Sequence, residues 1–166
     1  MPRPDWDSCW MQFAYIIAQR SLCSLTKVGA VIVADGNWAA WASYNGPAPG
    51  LNMTEQCIKW CPMAQSGKRG AEYYPLCVSA HAESNAIARS DWSQRQRGTI
   101  YTSAAMCINC ARAVAGSGLA RVVHTVQGGD DERRNPAQVE EYLRSAGLAV
   151  ERWQGDGKEQ GIDRQT

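Results

Sequence analysis

Apolar side chains near the amino terminus recur at three- and four-residue intervals: Trp6, Cys9, Trp10, Phe13, Ile16 and Ile17. That spacing puts them on one face of a helix from about Asp5 to Arg20, a face that needs a sheet to lie against. The pattern then changes. Val28 to Val33 is β-branched and apolar, Asp35-Gly36-Asn37 is a turn signal, and Trp38 to Tyr44 is a second apolar run, so the two runs read as a hairpin. From Asn45 to Ser79 prolines and glycines interrupt the chain and no clean period is visible. A connection that long inside a small domain is functional or pinned by something.

Regular patterning resumes at Ser79, an N-cap for a short helix through about Arg89, and an Arg/Gln-rich turn then leads to an apolar strand, Thr99 to Thr102. The spacing next predicts a helix from about Met106 to Ala115, ended by Gly116 and Gly118, and a buried strand from Arg121 to Val126. Asn135-Pro136 supplies an N-cap and a first-turn proline for a helix to about Gly147, and Leu148 to Trp153 makes a last strand. Strands that alternate with helices after an opening hairpin predict an α/β fold: a three-layer αβα sandwich around a mixed five-stranded sheet. The expected domain is 1–154, followed by a polar tail at 155–166.

Composition narrows the class. At 166 residues, 45% hydrophobic and 20% charged, the chain is of ordinary globular make-up, and no apolar run approaches the roughly 20 residues needed to span a bilayer. Seventeen basic against sixteen acidic side chains, a formal net charge of +1, leave no broad basic field for long nucleic acid. Met1 to Asp7 carries two prolines and two aspartates and does not read as a signal peptide, so a reducing cytoplasm is the expectation. Seven cysteines in that setting, an odd number, point to metal before disulfides.

Two short motifs concentrate the chemistry. His81-Ala82-Glu83 opens one predicted helix and Cys107-Ile108-Asn109-Cys110 the next, with a strand between them. The three-residue offset should bring both sulfurs to one side of a first helical turn, where partial positive charge favours thiolates. Two thiolates and a neutral imidazole make three ligands, so a four-coordinate Zn²⁺ would keep one position for water, the mark of a catalytic site. Glu83, two residues from the ligand, is placed to move that water's proton. The pair of motifs resembles the zinc deaminases of nucleobases, H-x-E followed by P-C-x-x-C. Met106 stands where those enzymes have proline, which would pre-set the first turn of the helix.

The similarity runs from about Arg3 to Trp153. Lys27 to Ile32, Ser43-Tyr44-Asn45-Gly46-Pro47-Ala48-Pro49-Gly50 and His81 to Ile87 resemble the VGAVIV, GYNGxPxG and HAExNAI stretches of the deoxycytidylate (dCMP) deaminases. The resemblance implies the cytidine deaminase sandwich and hydrolytic deamination of a deoxycytidine monophosphate. A metal-activated water would attack C4 of the base, with Glu83 shuttling its proton to N3 and then to the leaving amine. It also implies that Asn45 hydrogen-bonds the sugar, the Ala82 backbone meets the base edge, a carbonyl near Ser103 accepts from the amino group, and Lys27 neutralises a 5′-phosphate. A homo-oligomer follows from the same resemblance, as does Mg²⁺ accompanying a regulatory triphosphate. After the Arg121 strand the family commonly has an aromatic against the substrate. Here Gly128 and Gly129 follow, and His124 is the only ring nearby. Either His124 substitutes, or the pocket is opened for a 5-substituted base.

Three residues separate Cys57 from Cys61, and with Cys77 they sit in the long irregular connection. Some members of the family carry a second, structural zinc in this region, with a ligand at the position of Cys23, so a closed site of Cys23, Cys57, Cys61 and Cys77 is expected. The plain alternative is that these are free core thiols, as Cys9 on the apolar helix face is expected to be. His124 has a plain alternative too, a satisfied strand-end histidine, and Asp130 to Arg134 mixes signs and reads as a surface turn. Two other functions stay open at this point: deamination of cytosine or adenine in single-stranded DNA or tRNA, which near-zero net charge counts against, and a non-catalytic nucleotide-binding relative, which an intact Glu83 counts against.

Overall fold

The computed structural model describes residues 3–51, 59–67, 77–126 and 134–155. Along them run α1 (Trp6–Ala18), β1 (Gly29–Val33), β2 (Ala40–Tyr44), α2 (Pro62–Ser66), α3 (Ala82–Arg89), α4 (Trp92–Arg95), β3 (Thr99–Thr102), α5 (Ile108–Ala115), β4 (Arg121–His124), α6 (Pro136–Ser145) and β5 (Ala149–Arg152). The strands form one five-stranded sheet in the order β2-β1-β3-β4-β5. β1 is antiparallel to both β2 and β3, whereas β3, β4 and β5 run parallel.

Strand periodicity sorts the core into two halves. Ala30, Ile32, Ile100, Val122 and Val150 point to one face, where they meet Ala86 of α3, Ala111 and Val114 of α5, and Val139 and Leu143 of α6. Val31, Val33, Tyr101 and Val123 point to the other face, against Met11 and Ala14 of α1. The result is the predicted three-layer sandwich. α1 lies close to the start of β1: a Cβ on Gly29 would stand 2.0 Å from the Ala14 carbonyl oxygen and 2.8 Å from the Ala18 nitrogen. Only a residue without a side chain fits there. Asp5 caps α1 by accepting from the Ser8 N–H at 2.8 Å. On the same face Arg121 of β4 reaches Asp7 of α1 and Glu151 of β5, so one guanidinium joins a helix and two strands.

The helix starts differ from the sequence expectation in a way that matters for the site. Ala80 exchanges backbone hydrogen bonds with Gly46, each 3.0 Å, which holds the chain extended past Ser79. α3 therefore begins at Ala82 with His81, not Ser79, at its N-cap. α5 begins at Ile108, not Met106, because Ser103 still donates to the Gly29 carbonyl in the manner of a strand and the chain stays irregular up to Cys107, the N-cap. β4 stops at His124 and β5 spans only Ala149–Arg152, both shorter than expected. Asn135 does precede α6 with Pro136 following, but in the left-handed region (φ 50°) and without a side-chain cap bond; its Nδ2 donates to Gln138 Oε1 instead. The short helices α2 and α4 were not legible as periods. No helix among the described residues is long and apolar enough to cross a membrane.

Candidate active site

The turns that delay α3 and α5 put their N-caps side by side on one face of the sheet. His81 Nδ1 lies 3.3 Å from Cys110 Sγ and 3.4 Å from Cys107 Sγ. All three donor atoms fall within 4.8 Å of one another, and this is the group of that kind among the described residues. Cys107 is the N-cap and Cys110 stands three residues on, so the motif offers its sulfurs from the mouth of the helix and its first turn, a correction of detail to the expected shared helical turn. Tetrahedral zinc with bonds of about 2.0 Å to nitrogen and 2.3 Å to sulfur needs nitrogen–sulfur edges of about 3.6 Å. The observed edges match that requirement closely, and a three-donor set with soft sulfurs and one imidazole suits Zn²⁺ with a coordination position left over.

The electrostatics agree with a site built for a cation. Cys107 is held well below the ordinary thiol range, first by its hydrogen bond with Cys110 and then by the His81 ring, while Cys110 is pushed well above it by the same hydrogen bond and by burial. The two sulfurs thus share one proton, a crowding that a bound dication relieves. His81 is raised, chiefly by its hydrogen bond with Cys107. Glu83, at the second position of α3, is 2% exposed. Burial pushes its carboxyl up, partly offset by the His81 ring beside it. A carboxyl raised toward neutrality beside a metal site is suited to taking up and giving back a proton.

Met106 is buried in the same apolar cluster that holds Ala82, Ala86 and Cys110. It precedes the N-cap and lies outside the helix, so the loss of proline there does not alter the first turn; the side chain fills space instead. Two residues that the sequence reading did not single out support the ligand helix. Asn85 Nδ2 donates to the Tyr44 carbonyl at 3.0 Å and the Gly46 carbonyl at 3.3 Å, tying α3 to the end of β2. Ser84 Oγ lies 3.8 Å from Cys110 Sγ. Both belong to the His81-to-Ile87 stretch, and a position one turn into a helix that opens on a ligand was the available signal.

Around this centre the other expected residues fall into different places. Asn45 is buried at the end of β2; its Oδ1 accepts from the Val28 N–H at 2.8 Å and its Nδ2 donates to the Thr26 carbonyl at 2.9 Å. Ser103 follows β3, its Oγ accepting from the Gly29 N–H at 3.0 Å and its carbonyl from Thr125 Oγ1 at 3.0 Å. Lys27 is exposed just ahead of β1. His124 is not a free ring at the pocket: it is 3% exposed, with Nε2 3.2 Å from Glu140 Oε1 and Nδ1 3.3 Å from the Thr125 carbonyl. Glu140 is itself buried and held by Arg152 at 2.6 Å and Arg144 at 3.3 Å, and this carboxylate draws the imidazole inward, away from the role of stacking on a base. Gly128 and Gly129 lie outside the described residues. Arg134, expected in a surface turn, is half-buried, and its Nη1 donates to the Ala105 carbonyl in the loop that leads to Cys107.

Cys23, Cys61 and Cys77 also come together. Cys61 is 2% exposed and precedes α2, packed with Met63, Cys23 and Leu25. Burial raises the Cys77 thiol, and the neighbouring sulfurs of Cys61 and Cys23 raise it further, Cys61 also by a hydrogen bond. Cys57 lies outside the described residues. Cys9 is half-buried on α1 and is a free thiol.

Fold and site together define a mixed-sheet αβα domain carrying a His-Cys-Cys metal centre with a buried glutamate. The signature described as "Cytidine and deoxycytidylate deaminase zinc-binding region" matches residues 4–126. The chain belongs to this family of zinc-dependent deaminases. It is 37% identical over 128 residues to the deoxycytidylate deaminase of Mycobacterium phage D29, covering 75% of this chain and 97% of that one. It is 30% identical over 149 residues to the deoxycytidylate deaminase of Saccharomyces cerevisiae, where the match takes in 89% of this chain but only 45% of the longer yeast protein. Among solved structures, the dCMP deaminase of cyanophage S-TIM5 in complex with dCMP and dUMP superimposes with a TM-score of 0.64 at 21% identity, over 92% of this chain and all of that one. At that identity the likeness speaks for the fold.

Proposed function

We propose that this protein hydrolyses the 4-amino group of deoxycytidine monophosphate, converting dCMP and water to dUMP and ammonia. The observation that carries the reading is the His81, Cys107 and Cys110 cluster with the buried Glu83 carboxyl beside it. Zinc held by these three side chains supplies a polarised water, whose pKa falls toward about 7. As the water oxygen bonds to C4, Glu83 takes one of its protons on a carboxylate oxygen and delivers it to N3; it then carries the second proton, from the resulting C4 hydroxyl, to the amine, so that the C4–N4 bond breaks, C4 becomes a carbonyl and ammonia departs. An amide-like ring amine leaves only once protonated, which is why a single carboxyl that can hold a proton has two uses.

The substrate contacts belong to the same proposal. Ala82, at the first helical position of α3, has a backbone N–H that the helix itself does not use, and it meets the base edge. The carbonyl near Ser103, in the loop that follows β3, accepts from the 4-amino group. Asn45 offers the sugar its second Nδ2 hydrogen, and Lys27 meets the phosphate. A structural zinc on Cys23, Cys61 and Cys77, completed by Cys57, pins the irregular connection; closed zinc sites contribute folding free energy on the order of 10 kcal/mol. The protein acts in a reducing cytoplasm as a homo-oligomer, with Mg²⁺ accompanying a regulatory triphosphate.

The test is a panel of dCMP, CMP, deoxycytidine and 5-methyl-dCMP, followed by loss of cytosine absorbance with and without dCTP and dTTP. Turnover greatest on dCMP or its 5-methyl form supports the reading. Zinc-loaded protein that turns over none of the four rejects it.

A further inference from the structure

Asn85, the fourth residue of α3, stands where two distant parts of the site meet. Its backbone N–H donates to the carbonyl of the ligand His81 at 3.0 Å, closing the first turn of the helix that carries Glu83. Its side-chain Nδ2 reaches the end of β2, donating to the Tyr44 carbonyl at 3.0 Å and to the Gly46 carbonyl at 3.3 Å. These two carbonyls flank Asn45. The turn they belong to is held from other sides as well. Ser21 Oγ donates to the Asn45 carbonyl at 2.8 Å, the Asn45 N–H donates to the Val28 carbonyl at 3.0 Å, and the Asn45 amide is fixed to Val28 and Thr26. Ser21, Thr26 and Val28 all precede β1, so these bonds seat the turn on the α1–β1 side. Among the contacts named, the one that runs to the turn from α3 is the Asn85 amide.

We propose that Asn85 is a positioning residue for the reaction: the amide that spans the two carbonyls around Asn45 sets the offset between the sugar contact and the proton carrier Glu83. The inference rests on the reading of the protein as a dCMP deaminase in which Asn45 meets the sugar. A nucleotide held at its sugar by Asn45 and altered at its base by Glu83 spans both segments. Their separation therefore decides whether C4 and N3 arrive where the carboxyl can serve them, and a misplacement of about 1 Å can cost on the order of a hundredfold in rate. An amide suits this task. One nitrogen carries two hydrogens that diverge toward two oxygens, whereas a carboxylate of the same shape would set its charge against both carbonyls. The sugar of dCMP keeps one free hydroxyl, at the 3′ carbon, and that oxygen is the partner for the remaining Asn45 Nδ2 hydrogen. Loss of the Asn85 bonds should thus show first as loss of selectivity for the 3′-hydroxyl.

The experiment compares wild type with Asn85→Asp, Asn85→Ala and Asn85→Gln, each checked for bound zinc, on dCMP and on 2′,3′-dideoxycytidine monophosphate. The quantity read is the ratio of kcat/KM for the two substrates, from which the fraction of folded, active enzyme cancels. The charge that Asn85→Asp adds acts on both substrates alike, since both carry the same phosphate. Wild type is expected to prefer dCMP by about tenfold or more, the worth of a hydrogen bond whose loss leaves a buried group unpaired. In Asn85→Asp and Asn85→Ala the preference should fall to about twofold or less, and Asn85→Gln, which keeps both donors on a longer stem, should fall between. An unchanged preference, with both substrates losing equally, assigns Asn85 to the stability of the turn and overturns the proposal. Wild type that turns over both nucleotides equally well leaves deamination standing and also overturns it, because no sugar hydroxyl is then being placed. If wild type turns over neither, the reading as a dCMP deaminase fails by itself. Asn85 is then judged by calorimetric binding of dUMP against 2′,3′-dideoxyuridine monophosphate. A preference for dUMP that Asn85→Asp erases supports the role, and equal affinities in wild type, no binding of either, or a preference that survives Asn85→Asp overturns it.

Discussion

Two groups of cysteines lie in this domain, and they are held in opposite ways. Cys107 and Cys110 stand at the start of α5, and with His81 at the start of α3 they are fixed by helices whose other faces are locked onto the sheet by Ala86, Ala111 and Val114. Cys23, Cys61 and Cys77 hang from irregular chain, with a small satellite core of Met63 and Leu25 against Cys23 and Cys61. The first cluster has its geometry supplied by the fold and uses a metal for chemistry. The second has little regular structure behind it, and the structural zinc proposed above would give it the rigidity that the sheet gives the first. The side chains are of similar type in both; what differs is how much regular structure stands behind them.

Cysteine substitutions break that comparison most sharply. Cys107→Ser should lose one zinc per chain and reduce turnover by roughly a thousandfold or more, while thermal unfolding shifts little, because the sheet keeps the helices in place. Cys61→Ser should also lose one zinc but destabilise the chain by several kcal/mol, with the remaining folded fraction still active. Metal analysis, melting curves and rates on the same preparations check both. Equal effects on melting from the two variants would erase the distinction.

The support beneath the catalytic cluster can be tested next. Gly29→Ala introduces a methyl group that would meet the Ala14 carbonyl at 2.0 Å. α1 must move off the sheet, at a cost of about 3 kcal/mol or more in denaturant unfolding. A loss below about 1 kcal/mol would mean that α1 is not seated as described. A smaller effect is expected at the Asp7 and Arg121 pair that ties α1 to β4, 2.5 Å apart and partly exposed. The Arg121 hydrogen bond holds the Asp7 carboxyl below its ordinary value of 3.8, against a smaller opposing push from burial. Stability from Asp7 is therefore complete above pH 3.8 and is lost as pH falls through its lower folded-state value. Asp7→Asn should cost about 1 kcal/mol at pH 7 and progressively less below that value. A deficit that grew on acidification would reverse the assignment.

Much of this arrangement was legible in the sequence, and the exceptions have physical causes. The three ligands and Glu83 announce themselves because metal binding needs particular atoms at short sequence offsets. The apolar, β-branched runs Val28 to Val33 and Arg121 to Val126 likewise disclose strands. The starts of α3 and α5 were misjudged because a bridge between Ala80 and Gly46, and a strand-like bond from Ser103 to Gly29, override local capping preference. Such contacts join residues far apart in the chain and leave no periodic trace. In the sequence His124 is the ring nearest the strand end where the family has an aromatic; the carboxylate that claims it comes from α6, sixteen positions later. Arg134 was hidden among mixed charges for the same reason, since its partner Ala105 lies on another loop.

The central claim is that the metal centre and the proton carrier are separate parts, His81, Cys107 and Cys110 holding the ion and Glu83 moving the proton. Glu83→Gln tests it most directly, with zinc content and dCMP turnover measured on one preparation. Unchanged zinc stoichiometry is expected, with a fall in kcat of about a thousandfold, within the range ordinarily lost with a general acid–base group. Turnover within tenfold of wild type, or zinc lost together with activity, would contradict it.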